Sequence, residues 1–240
     1  MKYSLALALG LLAAGSAVAD TNTVASVNAA VAKLDAAANY SWTVNIQLPK
    51  SQFTPSPVNG VTEKGGYSMV SEDINGDTLQ AVFKGDKAAI KGQDDWQSLA
   101  QADDQTAMMG GFLVNPGTAA TEVAKILKDA GDLSADTNGV ISGNFTDAGA
   151  TDQMTFRGRN GNTPPPPKNA KGSLKFWLNP DGSLAKFETH LDAQVAFGQD
   201  QDPQDFEAIR TVEIHDVGTT KVTVPDGAMK ALEAKAAPAK

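Results

Sequence analysis

The stretch YSWTVNIQL, residues 40–48, decides the fold class. Its apolar residues alternate with polar ones: Tyr40, Trp42, Val44, Ile46 and Leu48. A period of two indicates a half-buried strand of an antiparallel sheet, because successive side chains of a strand point to opposite faces. The sequence therefore predicts a strand with one face toward a core and the other toward solvent.

The residues before this strand follow a helical period. One apolar stripe recurs at spacings of three and four residues: Val24, Val27, Val31 and Leu34. This spacing places the four side chains on one helix face, and Asn22 or Thr23 can cap the start. Because the helix is rich in Ala and Val, we expect it to pack closely against another element.

The residues after this strand predict more antiparallel strands with a helical interruption. Breaks at 75–77 and 85–86 are typical of a meander of short hairpins. We interpret residues 107–114 as a short apolar turn or helix. A longer helix should follow Thr118 and stop at Gly131. Strands are predicted again within residues 139–149 and 151–159.

The clearest hairpin lies between residues 174 and 197, around a turn at 179–182. A Pro-rich surface loop (160–172) precedes it, and an acidic loop follows it. The segment VEIHDVGTTKVTVPDGA (212–228) is interpreted as closing strands broken at Gly218. A short final helix should surround Met229 and Leu232.

The first 19 residues have the three parts of a secretory signal peptide. Lys2 is the positive start, residues 5–14 are apolar, and Ala17-Val18-Ala19 is a cleavage site. Residues 20–240 would then form one exported domain, in the periplasm if the host has an outer membrane. The chain contains no cysteine, so we expect neither a lipid-modified cysteine nor disulfides. No other apolar run is long enough for a transmembrane anchor.

The charge balance argues against nucleic acid as a partner. Basic residues number 20 and acidic residues 28, for a net charge of −8. A phosphate backbone or an anionic membrane surface attracts basic proteins. We interpret the scattered negative charge as a determinant of solubility.

Catalytic and metal-binding motifs are not found in the sequence. It contains no nucleophile elbow, phosphate-binding loop, dinucleotide fingerprint or HExxH motif. His190 and His215 share strand parity with charged neighbours, which predicts solvated side chains. The acidic stretches at 73–77 and 200–207 fit a hairpin turn and a solvated loop better than calcium sites. We therefore expect that the protein is not an enzyme and that it binds no metal or cofactor. A hydrolase that uses His215 is the least favoured hypothesis.

Several segments together resemble one known family. They are residues 40–48, KGDKAAIKGQDDWQSL (84–99), FWLNPDGSLAKFE (176–188) and VGTTKVTVP (217–225). In this order they are similar to the periplasmic lipoprotein-carrier superfamily of the LolA/LppX type. The resemblance implies an α+β fold that is mainly antiparallel β, with a strongly curved sheet (a half barrel). Helices would cover its concave face, which receives acyl chains.

The resemblance implies a binding protein for a lipid or for lipoprotein acyl chains, with envelope proteins as further candidate partners. The residues that strand alternation directs inward are predicted to line a cavity. They are Trp42, Val44, Ile46, Phe83, Phe176, Val195, Phe197 and Ile214. The same residues suit a filled core equally well. A non-catalytic interaction module with a filled core is therefore the alternative. The three arginines Arg157, Arg159 and Arg210 are predicted to be exposed.

Overall fold

The structure is a computed structural model that describes residues 21–74, 76–91, 95–114, 117–155, 164–196 and 202–234. The described chain forms five helices and eleven strands. The helices are α1 Thr21–Ala36, α2 Asp104–Val114, α3 Ala119–Asp129, α4 Asp147–Met154 and α5 Asp226–Glu233. The strands are β1 Asn39–Gln47, β2 Val58–Glu63, β3 Ser68–Ile74, β4 Asp77–Lys84, β5 Lys87–Lys91, β6 Trp96–Ser98, β7 Ala130–Ala135, β8 Ile141–Phe145, β9 Lys168–Leu178, β10 Leu184–Val195 and β11 Gln204–His215.

All eleven strands belong to one antiparallel sheet that stays open. Their spatial order is β6-β5-β4-β3-β2-β1-β11-β10-β9-β8-β7, so β6 and β7 are the edges. Strands β1 to β6 form one meander and β7 to β11 another. The two meanders meet where β1 pairs with β11, Val44 lying opposite Val212. The predicted fold class, a mainly antiparallel curved sheet with covering helices, is confirmed.

The alternation in YSWTVNIQL gives β1 one buried and one solvated face. Tyr40, Trp42 and Val44 are almost fully buried, and Ser41 and Thr43 between them are half-buried. We call the face that carries Trp42 the inner face and the opposite one the outer face. Directly paired residues of neighbouring strands share a face. The register therefore assigns the paired residues of the other strands to the inner or the outer face.

Four helices lie against the inner face and one against the outer face. Helix α1 contacts β7, β9 and β10, α2 contacts β3 to β5, and α3 packs between α1 and α4. Their apolar sides join the sheet in one large cluster, the central cluster. Helix α5 instead packs on the outer side of β4 to β6, where Ala228 and Leu232 meet Val82. The inner face is therefore the covered face of the half barrel.

The structure corrects several predicted boundaries. Residues 147–154 form helix α4 and not a strand, because Thr146 caps a helix start and accepts a hydrogen bond from the Gly149 N–H at 2.9 Å. Helix α3 ends at Asp129, and β7 begins at once, before Gly131. The Pro-rich loop ends earlier than predicted, since β9 begins at Lys168. Strand β11 likewise begins at Gln204, within the predicted acidic loop.

The end of the chain also differs from the prediction. Residues 216–225 form no strand, so Val222 and Val224 do not resume a sheet alternation. The backbone turns at Asp216, whose φ is 49°, and the Val222 N–H donates to the Glu63 carboxylate. A short last helix is confirmed as α5.

Some predicted features lie outside the described residues. They are the signal peptide at 1–19, Asn75, Pro116, Arg157, Arg159, residues 160–163, Phe197 and Asp200. Among the helices that are described, none has the length and apolar character that crossing a membrane requires.

Candidate ligand-binding face

Seven of the predicted lining residues are described, and all seven lie on the inner face. Trp42 is paired with Ile214, Val44 with Val212, and Phe176 with Phe187. Trp42, Val44 and Phe176 are buried in the central cluster, and Ile46, Phe83 and Ile214 pack against it. Val195 lies apart, in a smaller satellite cluster with Met154 and Ala193. The sheet thus gathers these apolar side chains under the helices.

Helix side chains occupy the space above these residues. Val27 and Leu34 of α1 and Val123 and Ile126 of α3 are almost fully buried in the central cluster. They recur at helical spacing, so each helix buries one stripe against the sheet. A ligand on the inner face would therefore have to replace contacts that the helices make in this structure.

Among the described residues, Tyr40 and Arg210 make polar contacts that hold helix α3 to the sheet. At its start, the Ala120 N–H donates to the Tyr40 hydroxyl at 3.3 Å. Burial raises the pKa of Tyr40, although hydrogen bonds with Thr118 and Ala120 act in the opposite direction. The hydroxyl therefore stays neutral and accepts from an otherwise unpaired helix N–H.

The second contact is a bidentate ion pair between Arg210 of β11 and Glu122 of α3. Arg210 Nε lies 2.7 Å from Glu122 Oε1, and its Nη2 lies 2.8 Å from Oε2. Only 21% of the arginine side chain and 13% of the glutamate side chain are exposed. Burial lowers the pKa of Arg210, but the charge and hydrogen bonds of Glu122 outweigh this and raise it.

This pair corrects the prediction that Arg210 is exposed. The sequence contained the signal, because Arg210 has the strand parity of Ile214, a predicted lining residue. Strand parity does not reveal the partner Glu122, because that residue is 88 positions away along the chain.

Helix α2 differs from α3 in how it covers the sheet. Its buried side consists of Ala107, Gly110 and Leu113. A Cβ atom at Gly110 would lie 2.7 Å from the ends of Ile90 and Leu99, so the helix backbone approaches β5 closely. On the opposite side, 56% of Met108 and 65% of Phe112 are exposed. Helix α2 is thus apolar toward solvent as well as toward the sheet.

The inner face also contains a carboxylate, Glu72. It shares a face with Val70 and is paired with Val58 and Leu79 of the neighbouring strands. Burial among these residues raises the pKa of Glu72, because an apolar environment disfavours the charged carboxylate.

An open depression with charged, polar and apolar residues at its border lies on the outer face. It has a volume of about 430 Å³ and is bordered by Asn144, Phe145, Asp147, Lys171, Gly172, Ser173, His190 and Asp192. His190 Nε2 lies 2.8 Å from Glu207 Oε1, and Lys50 Nζ lies 2.7 Å from Asp192 Oδ2. The described residues contain no group of three or more side chains able to hold a metal ion.

Both histidines lie on the solvated side, as predicted. The side chain of His190 is 43% exposed, and His215 is exposed at the end of β11. Ser173 is the strand neighbour of His190, but no contact joins its hydroxyl to the imidazole. The arrangement does not form the hydrogen-bonded nucleophile and base that covalent catalysis requires.

Comparisons with known proteins give structural relatives only. No protein-family model and no curated protein sequence matches the chain. The crystal structure of the lipoprotein LppX from Mycobacterium tuberculosis has a TM-score of 0.50 at 12% identity, over 86% of this chain and 100% of that one. LprF from Mycobacterium bovis has a TM-score of 0.44 at 10% identity, over 87% and 98%.

A third solved structure is a LolA-superfamily protein from Nitrosomonas europaea. It has a TM-score of 0.32 at 10% identity, over 81% of this chain and 94% of that one. The similarity to LppX extends over all of that protein and supports the open curved sheet with its covering helices. This chain therefore has an LppX-like half-barrel fold.

Proposed function

We propose that this protein is exported and binds a hydrophobic ligand, a lipid or the acyl chains of a lipoprotein, between its inner face and the covering helices. The observation that carries the proposal is the large apolar central cluster, which joins the inner face of an open sheet to the separate helices that cover it. Burial of an acyl chain contributes about 0.8 kcal/mol per methylene, so apolar contacts alone can supply affinity. The protein would act as a carrier or chaperone and not as an enzyme.

Entry of a ligand requires one helix to move, and α2 is the best candidate. A hydrogen bond from the Ala120 N–H to the Tyr40 hydroxyl and the ion pair of Glu122 with Arg210 hold α3 in place. The described contacts of α2 with the sheet are apolar, and two adjacent glycines, Gly110 and Gly111, weaken the helix itself. Its exposed Met108 and Phe112 form an apolar surface next to the proposed entrance.

A binding assay on the mature chain, residues 20–240, tests the proposal. We expect a fluorescent fatty-acid probe to bind, and native mass spectrometry of protein purified from its host to reveal bound lipid. The variant Ile214→Asn on the inner face should weaken binding about tenfold, which corresponds to about 1.4 kcal/mol. The matched control is Ile209→Asn, a half-buried outer-face residue of the same strand. Absence of bound lipid and of probe binding would contradict the proposal.

An engineered disulfide tests the role of α2. A Cβ atom at Gly110 would lie 3.3 Å from Ile90 Cβ, close to the spacing that disulfides require. The chain has no other cysteine, so the double variant Gly110→Cys/Ile90→Cys can form only this bond within one molecule. We expect the oxidised form to take up the probe more slowly than the same protein after reduction. Equal uptake rates would show that α2 does not open.

The packed interior favours a second candidate, a non-catalytic interaction module. Helix side chains such as Val27 and Val123 fill the space that a ligand would occupy. In that case the probe would not bind, and Ile214→Asn would lower stability without any change in ligand binding. The two measurements therefore separate the carrier from the module.

A further inference from the structure

The inner face is apolar around one basic side chain. Among the paired strand residues that the structure describes, Arg210 is the only Lys, Arg or His on this face; the other basic strand residues have outer-face parity. Its register neighbours are Ile46 on β1 and Thr189 on β10. Thr189 is a buried polar residue.

The partner of Arg210 is an anion presented in the geometry that guanidinium groups prefer. Two oxygens of Glu122 accept parallel hydrogen bonds at 2.7 and 2.8 Å. Phosphate and carboxylate groups of ligands are recognised through the same planar, bidentate contact. Glu122 also lies in the first turn of α3, where the helix dipole favours negative charge. Glu122 therefore occupies a position suited to an anionic group.

The location of the pair fits the polar end of an amphiphile. Two residues beyond Arg210 along β11, on the same face, lies Val212, which is paired with Val44 and Phe187. All three belong to the central cluster. On the other side of Arg210 lies the satellite cluster of Met154, Ala193 and Val195. The pair is only partly exposed, so a head group there would lie at the border of the apolar interior, with acyl chains extending into the central cluster.

From this geometry we propose that the ligand is an anionic lipid whose phosphate or carboxylate head group displaces Glu122 and binds Arg210. The inference rests on the proposed function and adds the ligand class and the residue that selects it. An uncharged lipid that displaced Glu122 would leave a partly buried guanidinium without a partner, which is unfavourable. Arg210 therefore discriminates against neutral lipids as well as binding anionic ones.

The test compares two probes with the same pyrene-labelled acyl chains, phosphatidic acid and diacylglycerol. We expect the wild-type chain to bind phosphatidic acid at least tenfold more tightly. The double variant Arg210→Met/Glu122→Met removes the pair without leaving one charge buried, and it should bind both probes equally. Glu122→Gln retains Arg210 and removes the competing charge, so it should strengthen phosphatidic acid binding. Circular dichroism and thermal melting establish that each variant is folded.

The matched control is Lys50→Met, which removes one positive charge at the outer face and should preserve the tenfold preference. Binding of both probes with equal affinity by the wild type would overturn the inference and leave the carrier function standing. The absence of binding to either probe would overturn both. Displacement of phosphatidic acid by millimolar inorganic phosphate alone would show a site for free anions and would also overturn the assignment to a lipid.

Discussion

At the scale of single residues, the ion pair of Arg210 and Glu122 should make a measurable contribution to stability. Its two hydrogen bonds are short and its side chains are mostly buried. Arg210→Met leaves the Glu122 carboxylate without its partner, and we expect it to lower the free energy of unfolding by about 2–3 kcal/mol.

The replacement of both partners should have a smaller effect than the single change. In Arg210→Met/Glu122→Met no charge remains unpaired, and two apolar side chains fill the space. Urea unfolding of the two variants and the wild type measures the difference. A double variant that is less stable than Arg210→Met would contradict this interpretation.

Glu72 should make stability depend on pH. Its pKa is raised by burial, so the native state binds a proton more tightly than the unfolded state does. The contribution of Glu72 to the free energy of unfolding is therefore most favourable at low pH. It falls as pH rises from the ordinary glutamate pKa of the unfolded state through the raised pKa of the folded state. Glu72→Gln should remove that fall and stabilise the protein at neutral pH.

Denaturant unfolding at several pH values, with Glu72→Gln beside the wild type, tests this prediction. The matched control is Asp73→Asn, which changes the next carboxylate of β3 on the outer face, where it accepts from the Thr78 hydroxyl. The control should preserve the fall that Glu72 causes. An unchanged pH profile in Glu72→Gln would contradict the assignment.

At the scale of elements, alanine substitutions at the two adjacent glycines of α2 should change the stability of the protein in opposite directions. A methyl group at Gly110 would collide with Ile90 and Leu99, whereas nothing lies within 4 Å of a Cβ atom at Gly111. Gly111→Ala should stabilise the protein by about 0.5–1 kcal/mol through helix propensity. Gly110→Ala should destabilise it, because the ends of the Ile90 and Leu99 side chains must move aside in a packed region. Thermal melting of the two variants provides the comparison.

The elements also show how far the sequence determines the structure. Strand periodicity located β1 and the β9–β10 hairpin, and helical spacing located α1, because each of these elements buries one face. Helix α4 was missed, since its buried residues Gly149, Ala150 and Met154 form no long apolar stripe. Strand parity placed the seven described inner-face residues. It could not show that helices fill the space above them, because that depends on contacts distant in sequence.

At the scale of the whole molecule, a bound lipid should stabilise the fold against heat. A ligand at one hundred times its dissociation constant adds about 2.7 kcal/mol if it binds only the native state. For a chain of this size we expect Tm to rise by about 5–10 °C. Differential scanning calorimetry with phosphatidic acid measures this shift. A Tm that falls on saturation would indicate that the ligand binds an opened state and not the folded half barrel.

The pairing of β1 with β11 has a consequence for how the chain folds after synthesis. Each meander can form from neighbouring strands, but the first strand completes its pairing only when the last strand is present. A contact between residues so far apart in sequence is slow to form, because it closes a long loop. The joined sheet therefore assembles late, because it cannot be completed before residues 204–215 have been synthesised.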